Sequence, residues 1–157
     1  MWTIAQGVGH DLAAVAIRIT IGQAFALTGL GKLRHLERTT SFFESLGIPA
    51  PGLHAAGVGV LELVGGIALI LGLAVRPFAT LLFATMTVAI LTADRADFLG
   101  ALAISPEKGL TDIVPWMFGL FLFGLLVHGG GRVSMDWLIL AWWRNKKTRA
   151  DTKQAAQ

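Results

Sequence analysis

Two ionisable side chains interrupt stretches otherwise suited to hydrocarbon. Glu62 stands inside "HAAGVGVLELVGGIALILGLAVRP" (His54 to Pro77), and Arg18 inside the first apolar run, about Leu12–Leu30. A lone charge at mid-bilayer costs on the order of 2.5–3.5 kcal/mol on insertion scales, so such a group turns into a bundle, towards a partner, a ligand or a proton path. Helical spacing puts Ala55, Gly59, Glu62 and Gly66 on one face of their span. Asp11, Arg18, Gly22, Phe25, Gly29 and Lys32 form a matching stripe on the first span. Small residues let helices approach closely, so Gly22, Gly29, Gly59 and Gly66 are the expected packing positions. Arg18, Glu62, Gln23 and Lys32 are the candidate buried polar or ligand-binding residues. The simplest pairing is Arg18 with Glu62 across antiparallel helices, and Gln23 lies nearer the depth of Glu62 but off the stripe. Such a pair either fixes helix register or meets a ligand, and spacing alone leaves both open.

Little else in the chain carries chemistry. There is no cysteine, hence no disulfide, thiol relay or thiolate metal site. His54 and His128 fall near opposite ends of their spans, so they do not make a bis-histidine haem pair. The H-E-x-x-H spacing of a zinc site is absent, as are a phosphate loop and a nucleophile elbow. No metal is expected and no catalytic residue is assigned.

The elements that must position these side chains follow from composition. Of 157 residues, 54% are hydrophobic and 15% charged, against about 25% charged in ordinary soluble domains. Four apolar segments stand out, at about 12–30, 54–75, 78–93 and 113–128, and continuous apolar runs satisfy their backbone in lipid as helices. The expected fold class is therefore all-α: an integral membrane four-helix bundle, a single domain over 1–143. "LGLAVRPFA" marks a tight turn at Gly72, Arg76 and Pro77. The first loop, "RHLERTTSFFESLGIPAPG", reads as a short interfacial amphipathic helix with Leu36, Phe43 and Leu46 on its apolar side, ended by Gly47 and the two prolines. "SMDWLILAWWRNKKTR" reads as an interfacial C-terminal helix capped by Ser134 and bearing Trp137, Trp142 and Trp143, with a basic tail over 144–157. The N-terminus lacks a basic n-region and reads as retained. Lys and Arg number seven on the side of both termini and five on the other, which predicts cytoplasmic termini. The formal charge of +3 sits mainly in loops and tail, so topology explains it and nucleic acid is not an expected partner.

"RITIGQAFALTGLGKL" (Arg18–Leu33), "FFESLGIPAP" (Phe42–Pro51), "GVGVLELVGGIALILGLAVRPFA" (Gly57–Ala79) and "GGGRVSMDWLI" (Gly129–Ile139) together resemble the DoxX family, the last its closing Gly-Arg-x-Ser-x-Asp element. The positions matching the family's recurrent pattern are Arg18, Gly22, Phe25, Gly29, Lys32, Gly47, Pro49, Glu62, Gly65, Gly66, Gly72 and Arg76. The resemblance implies a small four-span protein of the bacterial inner membrane, linked to membrane redox chemistry. It points to an accessory subunit of a quinone-linked system, with quinone as candidate cofactor. The bilayer, a redox partner protein and a second copy of the chain are the candidate partners. A small-molecule transporter or channel, and a structural subunit without chemistry, remain the alternative classes.

Overall fold

The structure is a computed structural model. It describes residues 2–103, 109–131 and 134–136, with side chains from residue 11 onward. Its helices are α1 (Trp2–Arg34), α2 (Leu36–Ser45), α3 (Pro51–Leu71), α4 (Val75–Thr92), α5 (Arg95–Ala101) and α6 (Val114–His128), with a 3-10 turn at Leu110–Asp112. No strand occurs among the described residues. The fold is an all-α membrane bundle. Residues Asp11–Arg34, Pro51–Leu71 and Val75–Thr92 are long and apolar enough to cross a bilayer, and Val114–His128 is a shorter apolar helix.

The interior is shared by the four long helices. Ile21 and Phe25 from α1, Leu69 from α3, Val75, Ala79 and Leu82 from α4, and Leu122 and Leu125 from α6 are all nearly inaccessible. Phe25 meets Phe118 edge to face, with ring centroids 5.3 Å apart. The side chains turned outward from these helices, among them Ile19, Leu27, Val64 and Leu91, are apolar as well. That is the composition lipid demands on the outside.

Helix limits differ from the apolar runs for identifiable reasons. The run 54–75 is not one element. Gly72 takes the left-handed conformation (φ 71°) and ends α3 at Leu71. Ala74 is also left-handed (φ 46°), and α4 starts at Val75. The turn is thus Gly72–Ala74, whereas Arg76 and Pro77 belong to the first turn of α4, where proline costs no helical hydrogen bond. Pro51 likewise opens α3. In the first loop, α2 stops at a left-handed Gly47 (φ 71°). The acidic third loop carries a helix, α5, that the apolar pattern did not reveal. Trp137, Trp142, Trp143 and the tail 144–157 lie outside the described residues.

The closest helix contact is α1 against α3. A Cβ built at Gly66 would lie 2.5 Å from the Gly22 carbonyl oxygen and the Ala26 nitrogen. One at Gly22 would lie 2.6 Å from the Gly66 oxygen, and one at Gly29 2.6 Å from the Gly59 oxygen. These clashes are with backbone, so no rotamer change relieves them. Gly59 differs, because its nearest neighbour is the flexible Leu33 side chain at 2.9 Å. Gly66→Ala and Gly29→Ala should force the helices apart at a cost of about 1–3 kcal/mol. Gly57→Ala, where a Cβ meets nothing within 4 Å, should be neutral. Unfolding temperatures of the three variants in detergent would check this; equal values would refute the assigned contact.

Candidate functional site

The α1–α3 contact sets the depth of every polar group between them. Gly22 faces Gly66, and Gly29 faces Gly59. In that register Arg18 lies near the level of Ile70 to Gly72, roughly 12–15 Å along the axis from Glu62 at 1.5 Å per residue. Side chains also lean towards the N-terminus of their own helix. In an antiparallel pair this tips Arg18 towards the Gly72 turn and Glu62 the opposite way. The expected Arg18–Glu62 pair therefore does not form. Lys32, at the last turn of α1, leans inward and meets Glu62 instead.

Glu62 is 1% exposed in the middle of α3, and both its oxygens accept hydrogen bonds from Lys32 Nζ at 2.5 Å. Lys32 keeps 29% of its side chain exposed. An ammonium has three donors, and Glu62 takes two contacts. Among the described residues no other acceptor meets Lys32 Nζ. Gln23 is exposed on the outer face of α1 and joins neither cluster.

The ion pair lies at the inner wall of a cavity of about 380 Å³. Helices α3 and α4 are joined tightly at Gly72–Ala74 and pack closely as far as Gly65, where a Cβ would lie 3.2 Å from Leu82. Beyond that level they separate. His54, Val58 and Leu61 line one side of the gap, and Leu81, Ala84, Thr85 and Val88 the other. Phe43, Leu46 and Ile48, from α2 and the segment after it, cover the end. α2 is tied to α1 by Thr39, whose hydroxyl donates to the carbonyls of Lys32 (3.3 Å) and His35 (3.1 Å). A second cavity of similar volume lies among α4, α5 and α6. Its lining carries no charged side chain; its polar groups are the Thr87 hydroxyl, which donates to Phe83 O at 2.9 Å, and the indole N–H of Trp116.

Arg18 belongs to a separate cluster at the Gly72 end. It is 2% exposed, Ser134 is 4% exposed, and a Cβ on Gly72 would run into the Arg18 guanidinium. Asp136 accepts from the backbone N–H groups of Ala74 (2.7 Å) and Val75 (3.0 Å), while its own N–H donates to Gly72 O (3.1 Å). It also acts electrostatically on Arg18. Asp136 thus caps α4 from a distant part of the chain, and Ser134 donates within its own loop, to Gly131 O at 2.9 Å. Spacing alone did not single out Asp136. The signal present was the Ser-x-Asp end of "GRVSMD".

A family model described as DoxX matches residues 13–95. The chain belongs to the DoxX family. Both polar clusters take their α1 and α3 members from that DoxX region, whereas Asp136 lies beyond it. Among similar proteins, the one named "Putative oxidoreductase CatD" in Bacillus subtilis (strain 168) is 33% identical over 91 residues, 57% of this chain and 66% of that relative. The match therefore spans just under two thirds of CatD. The "Inner membrane protein YphA" of Escherichia coli (strain K12) is 30% identical over 135 residues, 83% of this chain and 92% of the relative. No solved structure matches this DoxX chain.

The Gly72 cluster makes a testable statement. Asp136→Ala removes the only side-chain cap seen on α4 among the described residues and should cost about 1–2 kcal/mol. Ala74→Gly should be neutral or stabilising, because Ala74 bears a left-handed strain that glycine lacks. Unfolding measurements on the two variants should move in opposite directions or differ by at least the cap's worth. Equal losses would refute the assignment.

Proposed function

We propose that this DoxX protein is a quinone-binding accessory subunit of a membrane redox system in the bacterial inner membrane, with both termini in the cytoplasm. The observation that carries the reading is the cavity beside Lys32 and Glu62. Its volume of about 380 Å³ suits a small-molecule ligand. Its walls are apolar, as a quinone ring requires. The remaining donor of Lys32 is available to one ring carbonyl, and Glu62 holds the ammonium in position. The mouth lies between α3 and α4, with Leu81 and Val88 about half exposed at its edge, so a molecule dissolved in the bilayer reaches it without crossing water.

The relative named as an oxidoreductase supports a redox setting, and the relative named as an inner membrane protein supports the location. The chain has no cysteine, and no cluster of metal-binding side chains occurs among the described residues. Electrons would come from a partner protein, with this subunit holding the quinone. The excess of Lys and Arg on the side of the termini supports the orientation.

Two experiments test this. Protein purified from native membrane should retain quinone, detected by mass spectrometry of the extracted lipids. Ala84→Trp, which fills the mouth, should lower retention at least about tenfold, equivalent to roughly 1.4 kcal/mol, with the unfolding temperature unchanged. Absence of quinone from the wild-type protein, together with no labelling by an azido-quinone, would refute the reading. For orientation, a C-terminal green fluorescent protein fusion should fluoresce and a C-terminal alkaline phosphatase fusion should be inactive; the reverse pattern would overturn it.

A further inference from the structure

We infer that Glu62 sets the charge selectivity of the cavity: it makes the site accept neutral, carbonyl-bearing lipophiles and reject long-chain carboxylates. The inference rests on the reading above, in which the cavity beside Lys32 holds a membrane-dissolved ligand.

The same surroundings would otherwise suit a fatty acid. An apolar slot opening to the bilayer, with a lysine at its inner wall, has the ingredients of a carboxylate site: room for an alkyl chain and a cation to hold the head. Free fatty acids share the bilayer with quinones and reach the mouth by the same route. What stands against them is the position of Glu62. Both its oxygens lie 2.5 Å from Lys32 Nζ, and it is 1% exposed, so it has no access to solvent that would weaken its field. An incoming carboxylate would find the ammonium already neutralised and would place a second anion beside a buried first one. Like charges sharing a low-dielectric site are strongly disfavoured. A third charge also loses its hydration on entry without a free counter-charge to offset the loss. A neutral carbonyl avoids both costs. It needs one donor, and Lys32 has one left after serving Glu62.

Glu62 therefore does two things for one ligand class. It holds the Lys32 ammonium at the cavity wall, and it cancels the charge that would draw anions. His54 also lines the cavity, but it stands eight residues nearer the start of α3, roughly 12 Å along the axis, and its Nδ1 lies 3.3 Å from Ala50 O. It does not supply a second cation beside the Glu62 carboxylate.

The test is competition for an azido-quinone label in nanodiscs, at a pH where the acid is ionised. The competitors are decylubiquinone, palmitate and methyl palmitate, the last two differing only in head-group charge. For the wild-type protein, decylubiquinone and methyl palmitate should compete, and palmitate should be at least about tenfold weaker than its ester, because its charge is repelled by Glu62 and loses its hydration. In Glu62→Gln palmitate should gain at least about tenfold and overtake the ester. The double variant Lys32→Gln/Glu62→Gln should lose that gain, since no cation remains. Wild-type protein that takes palmitate as well as methyl palmitate, or a folded Glu62→Gln that gains nothing for palmitate, overturns the inference while leaving quinone binding intact. If decylubiquinone fails to compete and no label attaches to the wild type, the quinone reading itself fails. Should Glu62→Gln not assemble, the wild-type comparison of acid and ester decides alone.

Discussion

The arrangement of this molecule depends on how closely two backbones can approach in lipid. Within a bilayer, apolar side chains gain nothing by leaving one hydrocarbon environment for another, so helices are held by contact itself. At Gly22, Gly29 and Gly66 there is no room even for a methyl group between α1 and α3. Contact at this distance has a second effect beyond adhesion. It permits essentially one register, because sliding either helix by a residue would bring a larger side chain against the opposing backbone. The polar groups inherit their depths from that register, and the two clusters follow from it.

The clusters divide the bundle into a fixed end and an open one. At the Gly72 end, two left-handed residues fold α4 back on α3, Asp136 caps the new helix, and the Arg18 guanidinium fills the space over Gly72. Backbone conformation, hydrogen bonds and charge all act on the same few residues there. At the other end α3 and α4 share no comparable link, and the space between them is the cavity, covered by the half-buried side chains of α2. A ligand entering between α3 and α4 leaves the glycine contacts of α1 with α3 in place.

Much of this was legible in the sequence, for reasons that also mark its limit. Apolar run length gives the spans, and spacing gives the stripe containing Arg18, Gly22, Gly29 and Lys32 and the face containing Gly59, Glu62 and Gly66. Those are properties of one helix at a time. Which cation meets Glu62 is a property of two, and it needs the offset between them together with the direction in which side chains lean. The stripe makes Arg18 the candidate, because Arg18 lies inside its apolar run and Lys32 after it. The glycine contacts reverse that choice. The turn shows the same limit: Gly72, Arg76 and Pro77 mark its region, but the residues that form it are Gly72–Ala74, and Ala74 carries no sequence signal for a left-handed conformation. It is held there by Asp136, more than sixty positions away in the chain.

The same logic bears on what a buried charge pair is for. Replacing such a pair with apolar residues is often neutral or stabilising, so its presence is weak evidence of a stabilising role. In this protein the register is already determined by backbone contact at three glycines, and Lys32–Glu62 adds no constraint the glycines lack. Arg18 and Asp136 differ, since they act on a turn whose conformation is costly without them. The two ion clusters thus separate by what surrounds them. The one near Gly72 is buried at Arg18 and Ser134, and its Asp136 carboxylate is bonded to the backbone at the start of α4. Lys32 and Glu62 border a space, with one partner buried and the other partly open to it. The proposed ligand site rests on that difference: an ion pair bordering a cavity, in a helix pair whose contact is already made by glycines.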